Sequence, residues 1–243
     1  MRMLQHKGCL HVLLPVILLA LGAGSVFAQT EKNFSGEIIQ YDIKNFGIDS
    51  GDAFLEFKAG QVVDGRTLDL IIFRATAINF LDEEKIYMDP EKLLPVKVER
   101  NLNIFGKKEN ITEYYDSKKG EVRIVKRAGG KETKQIIQKQ GALDNIYCFI
   151  YRYRRAGVFQ LGDTLVINLP TKDVAIKLKK KDMLKIAGEK FDTFFMQSDP
   201  RKYKIWFDVS KNKIPLRIDG SVGFGNTYMV MTAYQKQDLE IGK

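Results

Sequence analysis

Apolar and polar positions alternate along most of this chain, and the runs that carry the alternation end in short clusters of Gly, Asn, Asp, Ser and Lys. A period of two marks a β-strand with one buried face. Ala53, Leu55 and Phe57 alternate with Phe54 and Glu56 in this way, whereas 68–78 is apolar on both faces and predicts a central strand. Further strands are predicted over 34–43, 84–88, 96–105, 110–115, 121–126, 163–168, 174–186, 191–197, 202–209, 214–218 and 223–233. Their connections, among them Asn45-Phe46-Gly47, Phe105-Gly106-Lys107 and residues 116–120, have the polar, glycine-bearing character of hairpin turns. The expected fold is mainly β: a curved antiparallel sheet or half-open β-barrel.

One segment keeps a different period. Leu143, Ile146, Tyr147 and Ile150 stand at i, i+3, i+4 and i+7, with Asp144 at the start and Gly157 beyond the end. This spacing predicts a single sizeable helix over 142–155. Arg152, Arg154 and Arg155 fall in its last turn, where the helix dipole favours cations. At about 100° per residue Arg154 returns to the apolar arc, a position that demands a carboxylate or a ligand anion unless the helix has already ended. Elsewhere Lys177, Lys179 and Lys181 alternate along one strand, which reads as protection of a sheet edge.

The N-terminus changes the picture of where this sheet works. Arg2 and Lys7 precede an apolar stretch from Leu10 to Leu21, and Ser25-Val26-Phe27-Ala28 closes it with small residues. This is the pattern of a secretory signal peptide, with cleavage expected after Ala28 and a periplasmic destination. The stretch contains Pro15 and falls short of the roughly 20 apolar residues that span a bilayer. Cys9 precedes the apolar run instead of following it, so no lipoprotein is expected. Removing these 28 residues from 243 leaves 215, the size of one domain, 29–243.

Both histidines, His6 and His11, lie in the leader, so the mature chain is expected to have none. That removes the usual general base of a Ser or Cys triad and the commonest metal ligand. Cys148 is the only mature cysteine and lies among Ile146, Tyr147, Phe149 and Ile150, where a buried inert thiol is expected. No phosphate-binding glycine loop, metal-spaced Cys or His set, or nucleophile elbow is present. No cofactor and no metal are expected. The formal charge of +9 falls to +7 without Arg2 and Lys7. In an exported protein this suits anionic lipid headgroups or acidic polymers better than nucleic acid, and otherwise reads as a solvated lysine surface.

Several blocks resemble the bacterial envelope family defined by domain of unknown function number 3108. Residues 36–43, followed by Gly47-Ile48 and Gly51, are similar to its first hairpin, and Leu93-Leu94-Pro95-Val96 with Tyr114-Tyr115-Asp116 and Gly120 to its central block. Ile205-Trp206-Phe207-Asp208 and Lys213-Ile214-Pro215-Leu216-Arg217-Ile218 resemble its Trp strand and the following Pro-Leu-Arg strand, and Gly188, Phe191 and Asp192 the hairpin before them. The helix departs from the family pattern, with Tyr147, Cys148 and three arginines where the family has Ser, aromatic residues and one Arg. The resemblance implies an exported curved sheet wrapped around a helix, related in shape to envelope lipid carriers, with no assigned activity.

Three functions fit these observations. The first is a non-catalytic periplasmic binding or carrier module, its ligand an acyl chain or an anionic envelope polymer. Phe46, Phe54, Phe80, Phe105, Phe194, Phe195 and Trp206 would line its groove or simply fill the core, and Tyr151, Arg152, Arg154 and Arg155 would sit at its mouth. The second is a structural or assembly partner of another envelope protein, with a groove filled by its own side chains. The third is a glycan hydrolase working with carboxylates alone, which requires two acids with pKa values pushed apart in one cleft. Arg217 alternates with Leu216 and Ile218 and faces either solvent or a lumen; in a lumen it requires Asp208 or Asp219 as partner.

Overall fold

The computed structural model describes residues 33–157, 160–220 and 227–237. The expected signal peptide lies outside them, as do the first residues of the strand predicted over 223–233. The described residues form one compact unit.

Among the described residues, fourteen antiparallel strands make one sheet. The chain starts in its middle and meanders to one edge through β1 (Glu37–Asn45), β2 (Ile48–Val63), β3 (Arg66–Ala77), β4 (Phe80–Met88), β5 (Pro95–Ile104), β6 (Lys107–Asp116), β7 (Glu121–Ala128) and β8 (Lys131–Gln138). Helix α1 (Ile146–Ala156) then carries it to the opposite edge, and β9 (Thr164–Leu169), β10 (Lys172–Ile186), β11 (Glu189–Asp199), β12 (Lys204–Asp208), β13 (Pro215–Asp219) and β14 (Thr227–Lys236) return inward until β14 pairs with β1. Each hairpin is local, and among the described residues only the β1·β14 pairing joins the two halves through the sheet.

The alternation places Ile39, Tyr41 and Ile43 of β1, Leu55 and Phe57 of β2, Ile71 and Phe73 of β3, and Ile205, Phe207, Leu216 and Ile218 of the second half in one buried face. Helix α1 packs on that face and is buried on nearly every side, which is why its sequence is apolar beyond a single stripe. Tyr147 stacks on Phe73 with ring centroids 4.6 Å apart, Tyr151 lies 5.1 and 5.0 Å from Phe34 and Phe57, and Tyr153 lies 5.9 Å from Phe207. The helix therefore clamps both halves of the sheet. Cys148 is fully buried, its thiol 4.0 Å from the Met88 sulfur, and burial pushes its pKa up, so it is an inert core thiol.

Three expectations need correction. The helix starts at Ile146, not 142: Asn145 is the N-cap, its Oδ1 accepting from the Tyr147 amide at 2.8 Å, while Gly157 ends the helix in the left-handed conformation as expected. Residues 139–144 instead bridge the two sheet edges. The Lys139 ammonium donates to the Leu169 carbonyl at 2.9 Å and the Asn168 amide to the Gln140 carbonyl at 3.0 Å. Gly120 permits this crossing, since a Cβ there would sit 2.1 Å from the Lys139 carbonyl oxygen. Strand β8 was not predicted, because Lys-Glu-Thr-Lys-Gln-Ile-Ile-Gln is an edge strand exposed on both faces and carries no alternation. The lysine strand β10 is an edge only in part: it pairs with β9 as far as Lys177, and Lys179 and Lys181 lie beyond that pairing.

Candidate functional site

Helix α1 leaves one end of the buried face open. A cavity of about 620 Å³ lies there between β4–β7, the start of α1 and the turns that follow β9 and β11. Its chemistry comes from charged residues placed at the apolar parity of their strands. On β4, Asp82 and Glu84 share a face with Phe80, Ile86 and Met88, and on β5 Arg100 shares one with Val98 and Leu102. On β6 the inward positions include Glu113 and Tyr115, and Glu113 is opposite Val98.

Asp82 and Arg100 form a two-pronged pair, Nε to Oδ1 at 2.7 Å and Nη2 to Oδ2 at 2.5 Å, and the Asp82 side chain is 1% exposed. Glu84 reaches the same guanidinium at 3.3 Å. The Tyr115 hydroxyl donates to Glu113 at 2.5 Å. Two carboxylates thus share one guanidinium, and Glu113 lies near enough to feel its charge. Burial pushes Glu84 up to about 7 against the pull of Arg100, and burial also raises Glu113.

The opposite wall is basic. Ser198 Oγ accepts from the amides of Lys202 and Tyr203 at 3.0 and 2.8 Å, folding the turn that presents Arg201 and Lys202 to the cavity. Gly220 lies against this turn; a Cβ there would meet the Lys202 carbonyl oxygen at 1.9 Å, and its φ is +84°. Burial lowers the Lys202 pKa, with Arg100 adding to the effect. The cavity is therefore lined by the acids Glu84 and Glu113 with Arg100, by Arg201 and Lys202 of the turn after β11, and by Tyr115, Tyr147 and Tyr203, which suits a polar ligand with charges of both signs.

The six residues singled out in the sequence do not form one site: Arg154 packs with Tyr151 and Arg217 with Trp206, on separate faces. Arg154 is fully buried and holds Glu37 through two hydrogen bonds of 2.6 Å, sandwiched by the rings of Phe34 at 4.7 Å and Tyr151 at 5.0 Å, with the Asn212 carbonyl accepting from its Nε at 3.2 Å. Its partner is a carboxylate of β1, and the helix has not ended. Tyr151 belongs to that same sealed cluster and not to a groove mouth. Arg152 pairs with Asp144 and donates to the Leu93 carbonyl, and Arg155 donates to the carbonyls of Pro90 and Glu91. Both cations anchor α1 to the loop after β4.

Trp206 and Arg217 lie on the outer face. Arg217 stacks 4.8 Å from the Trp206 ring and 3.9 Å from the Tyr228 ring and pairs with Asp219 at 2.8 Å; Phe195 stacks on Trp206 at 4.6 Å. The outward orientation is the solvent alternative, yet Asp219 is still the partner. Of the other aromatics, Phe80 is core, while Phe46 and Phe105 are 78% and 70% exposed and line neither core nor groove.

Asp82, Glu84, Arg100, Glu113, Tyr115 and Lys202 were missed because Leu81-Asp82-Glu83-Glu84-Lys85 reads as solvated strand end. The signal that finds them is parity: an acid at an even spacing from Phe80, Ile86 and Met88 must face inward. Among the described residues no group of three or more potential ligands has metal-binding geometry, and no helix is long and apolar enough to cross a membrane.

The family model described as "Protein of unknown function (DUF3108)" matches residues 40–232. No curated protein matches the chain. Among solved structures, a β-barrel-like protein of domain of unknown function DUF1849 from Brucella abortus superposes with a TM-score of 0.54 at 10% identity, covering 85% of this chain and 99% of that one. At that identity the likeness is one of fold.

Proposed function

The chain belongs to the DUF3108 family, and from that footing we propose that it is an exported, non-catalytic binding module whose ligand site is the polar cavity at the end of the buried face. The observation that carries this reading is the uneven filling of the sheet. Helix α1 and its aromatic side chains occupy most of the concave face, and the space left open is lined by Glu84, Glu113, Tyr115, Arg201 and Lys202. Apolar side chains such as Val98, Ile124 and Leu169 are interrupted there by charged ones, which disfavours an acyl chain. The ligand class that fits is a polar envelope polymer unit with hydroxyls and charges of both signs, as in a cell-wall glycopeptide.

The test is native mass spectrometry of the protein purified under mild conditions from the envelope, followed by calorimetric titration with soluble cell-wall glycopeptide fragments. An adduct of glycan or peptide mass, and binding that weakens at least about tenfold in Glu113→Gln, is the expected result. A lipid adduct, or no binding at any fragment length, would sink the proposal; a co-purifying protein with an empty cavity would move the function to docking.

One observation favours a second reading, glycan hydrolysis by carboxylates alone. An acid pushed up to about 7 beside a second carboxylate is how a general acid is prepared. Release of reducing ends from cell-wall glycan, abolished in both Glu84→Gln and Glu113→Gln, distinguishes it from simple binding.

A further inference from the structure

Two hairpin turns carry a residue that neither the backbone nor the core requires. Phe46-Gly47 joins β1 to β2 and Phe105-Gly106 joins β5 to β6, with φ values of 50° and 84°, and 49° and 82°. Two-residue turns with positive φ at both positions favour Asn or Asp before Gly, because a short polar side chain tolerates the left-handed region. The β2–β3 turn obeys this rule with Asp64-Gly65 at φ 50° and 73°. Phenylalanine in that conformation is strained, because its Cβ crowds the following carbonyl oxygen. Burial does not offset the cost, since Phe46 and Phe105 are 78% and 70% exposed.

Both turns lie at the same end of the sheet. In an antiparallel meander the β1–β2, β3–β4 and β5–β6 turns share one end of the sheet, and Asp64 lies at the other. The β3–β4 turn adds Ile78, 88% exposed, and is tied to its neighbour where the Phe105 amide donates to the Asn79 carbonyl at 2.8 Å. Ile48, 72% exposed, stands beside Phe46. Gly51 is opposite Ala77, so the first hairpin continues three residues past the second, about 10 Å at 3.3 Å per residue. Behind the tips the acids Asp49, Glu109 and Glu132 are paired with Lys44, Lys126 and Arg127, while Lys107, Lys108 and Lys131 present exposed side chains.

We propose that this end of the sheet docks on an anionic lipid bilayer, with Phe46, Ile48, Ile78 and Phe105 entering the headgroup region and Lys107, Lys108 and Lys131 meeting lipid phosphates. Apolar tips backed by surplus cations match both layers of such a surface. The inference is independent of the polar cavity and its ligand.

Co-sedimentation of the processed chain with vesicles of phosphatidylglycerol and phosphatidylethanolamine, against vesicles of phosphatidylcholine alone, tests it. Binding is expected to the anionic vesicles, weaker at high salt, and reduced at least about tenfold in Phe46→Asn/Phe105→Asn. The thermal midpoint of that variant is expected to hold or rise, since Asn accepts the turn conformation. Val62→Ser, an equally exposed apolar residue at the opposite end, should leave partition unchanged. If the double variant loses its circular dichroism signature, Lys107→Glu/Lys108→Glu replaces it, with the same loss expected. The proposal is overturned by a wild-type chain that ignores anionic vesicles, by undiminished binding in the variants, by equal binding to phosphatidylcholine, or by a protein partner lost from the double variant in the absence of vesicle binding.

Discussion

Two acid–arginine clusters face the interior of this sheet, and they are built differently. Glu37 and Arg154 match one carboxylate to one guanidinium, with exposures of 1% and 0% and aromatic rings above and below. At the other cluster Asp82 and Glu84 pair with Arg100, Glu113 stands within reach of its charge, and Glu84 and Glu113 line a cavity. A sealed, balanced pair has no capacity left for a ligand and serves to hold helix to sheet. An unbalanced set keeps one carboxylate poorly solvated and available, which is the condition for binding or proton transfer.

The sharpest way to break the comparison is to unbalance the sealed pair. Arg154→Met should cost about 3–5 kcal/mol in urea unfolding, because it strands Glu37 in the core, whereas Arg154→Met/Glu37→Met should recover most of that loss. Equal losses in the single and double variants would show that Glu37 is hydrated and the pair is not sealed. A smaller effect is expected at Glu84. Its folded pKa, about 7, lies above the ordinary 4.5, so stability from this group is complete below pH 4.5 and declines as pH rises to about 7. Glu84→Gln should leave stability at pH 4 unchanged and raise it by up to about 3 kcal/mol at pH 8, flattening the profile between. A profile that keeps its slope in the variant would assign the titration elsewhere. Arg217 is the third setting, part-exposed between two rings, and Arg217→Met should cost only about 1 kcal/mol. A loss as large as that of Arg154→Met would mean the outer stack is buried in the functional assembly.

Much of this arrangement is legible in the chain. Thirteen of the fourteen strands among the described residues are predicted from the chain, and helical phase marks Arg154 as an inward cation in need of a carboxylate or a ligand anion unless the helix has already ended. The missed strand, β8, is solvated on both faces and so has no pattern to read. The acids of the cavity escaped notice because Asp82 and Glu84 alternate with polar Glu83 and Lys85, and the nearest apolar residues that define their parity lie beyond them. Glu37 sits at the same parity as Ile39, Tyr41 and Ile43, a warning of burial that became meaningful only beside Arg154.

The sequence by itself determined most of the strands, the helix over α1 and which positions share a face where the alternation is clear, because these follow from periods of two and 3.6 residues within a few positions of chain. Only the tertiary structure decided the partners. Glu37 and Arg154 are separated by 117 residues, and the cavity gathers β4, β5, β6 and the turn carrying Lys202. Such groupings depend on how the sheet curls around α1, and that curl is the sum of many small strand twists and bulges that no local pattern records.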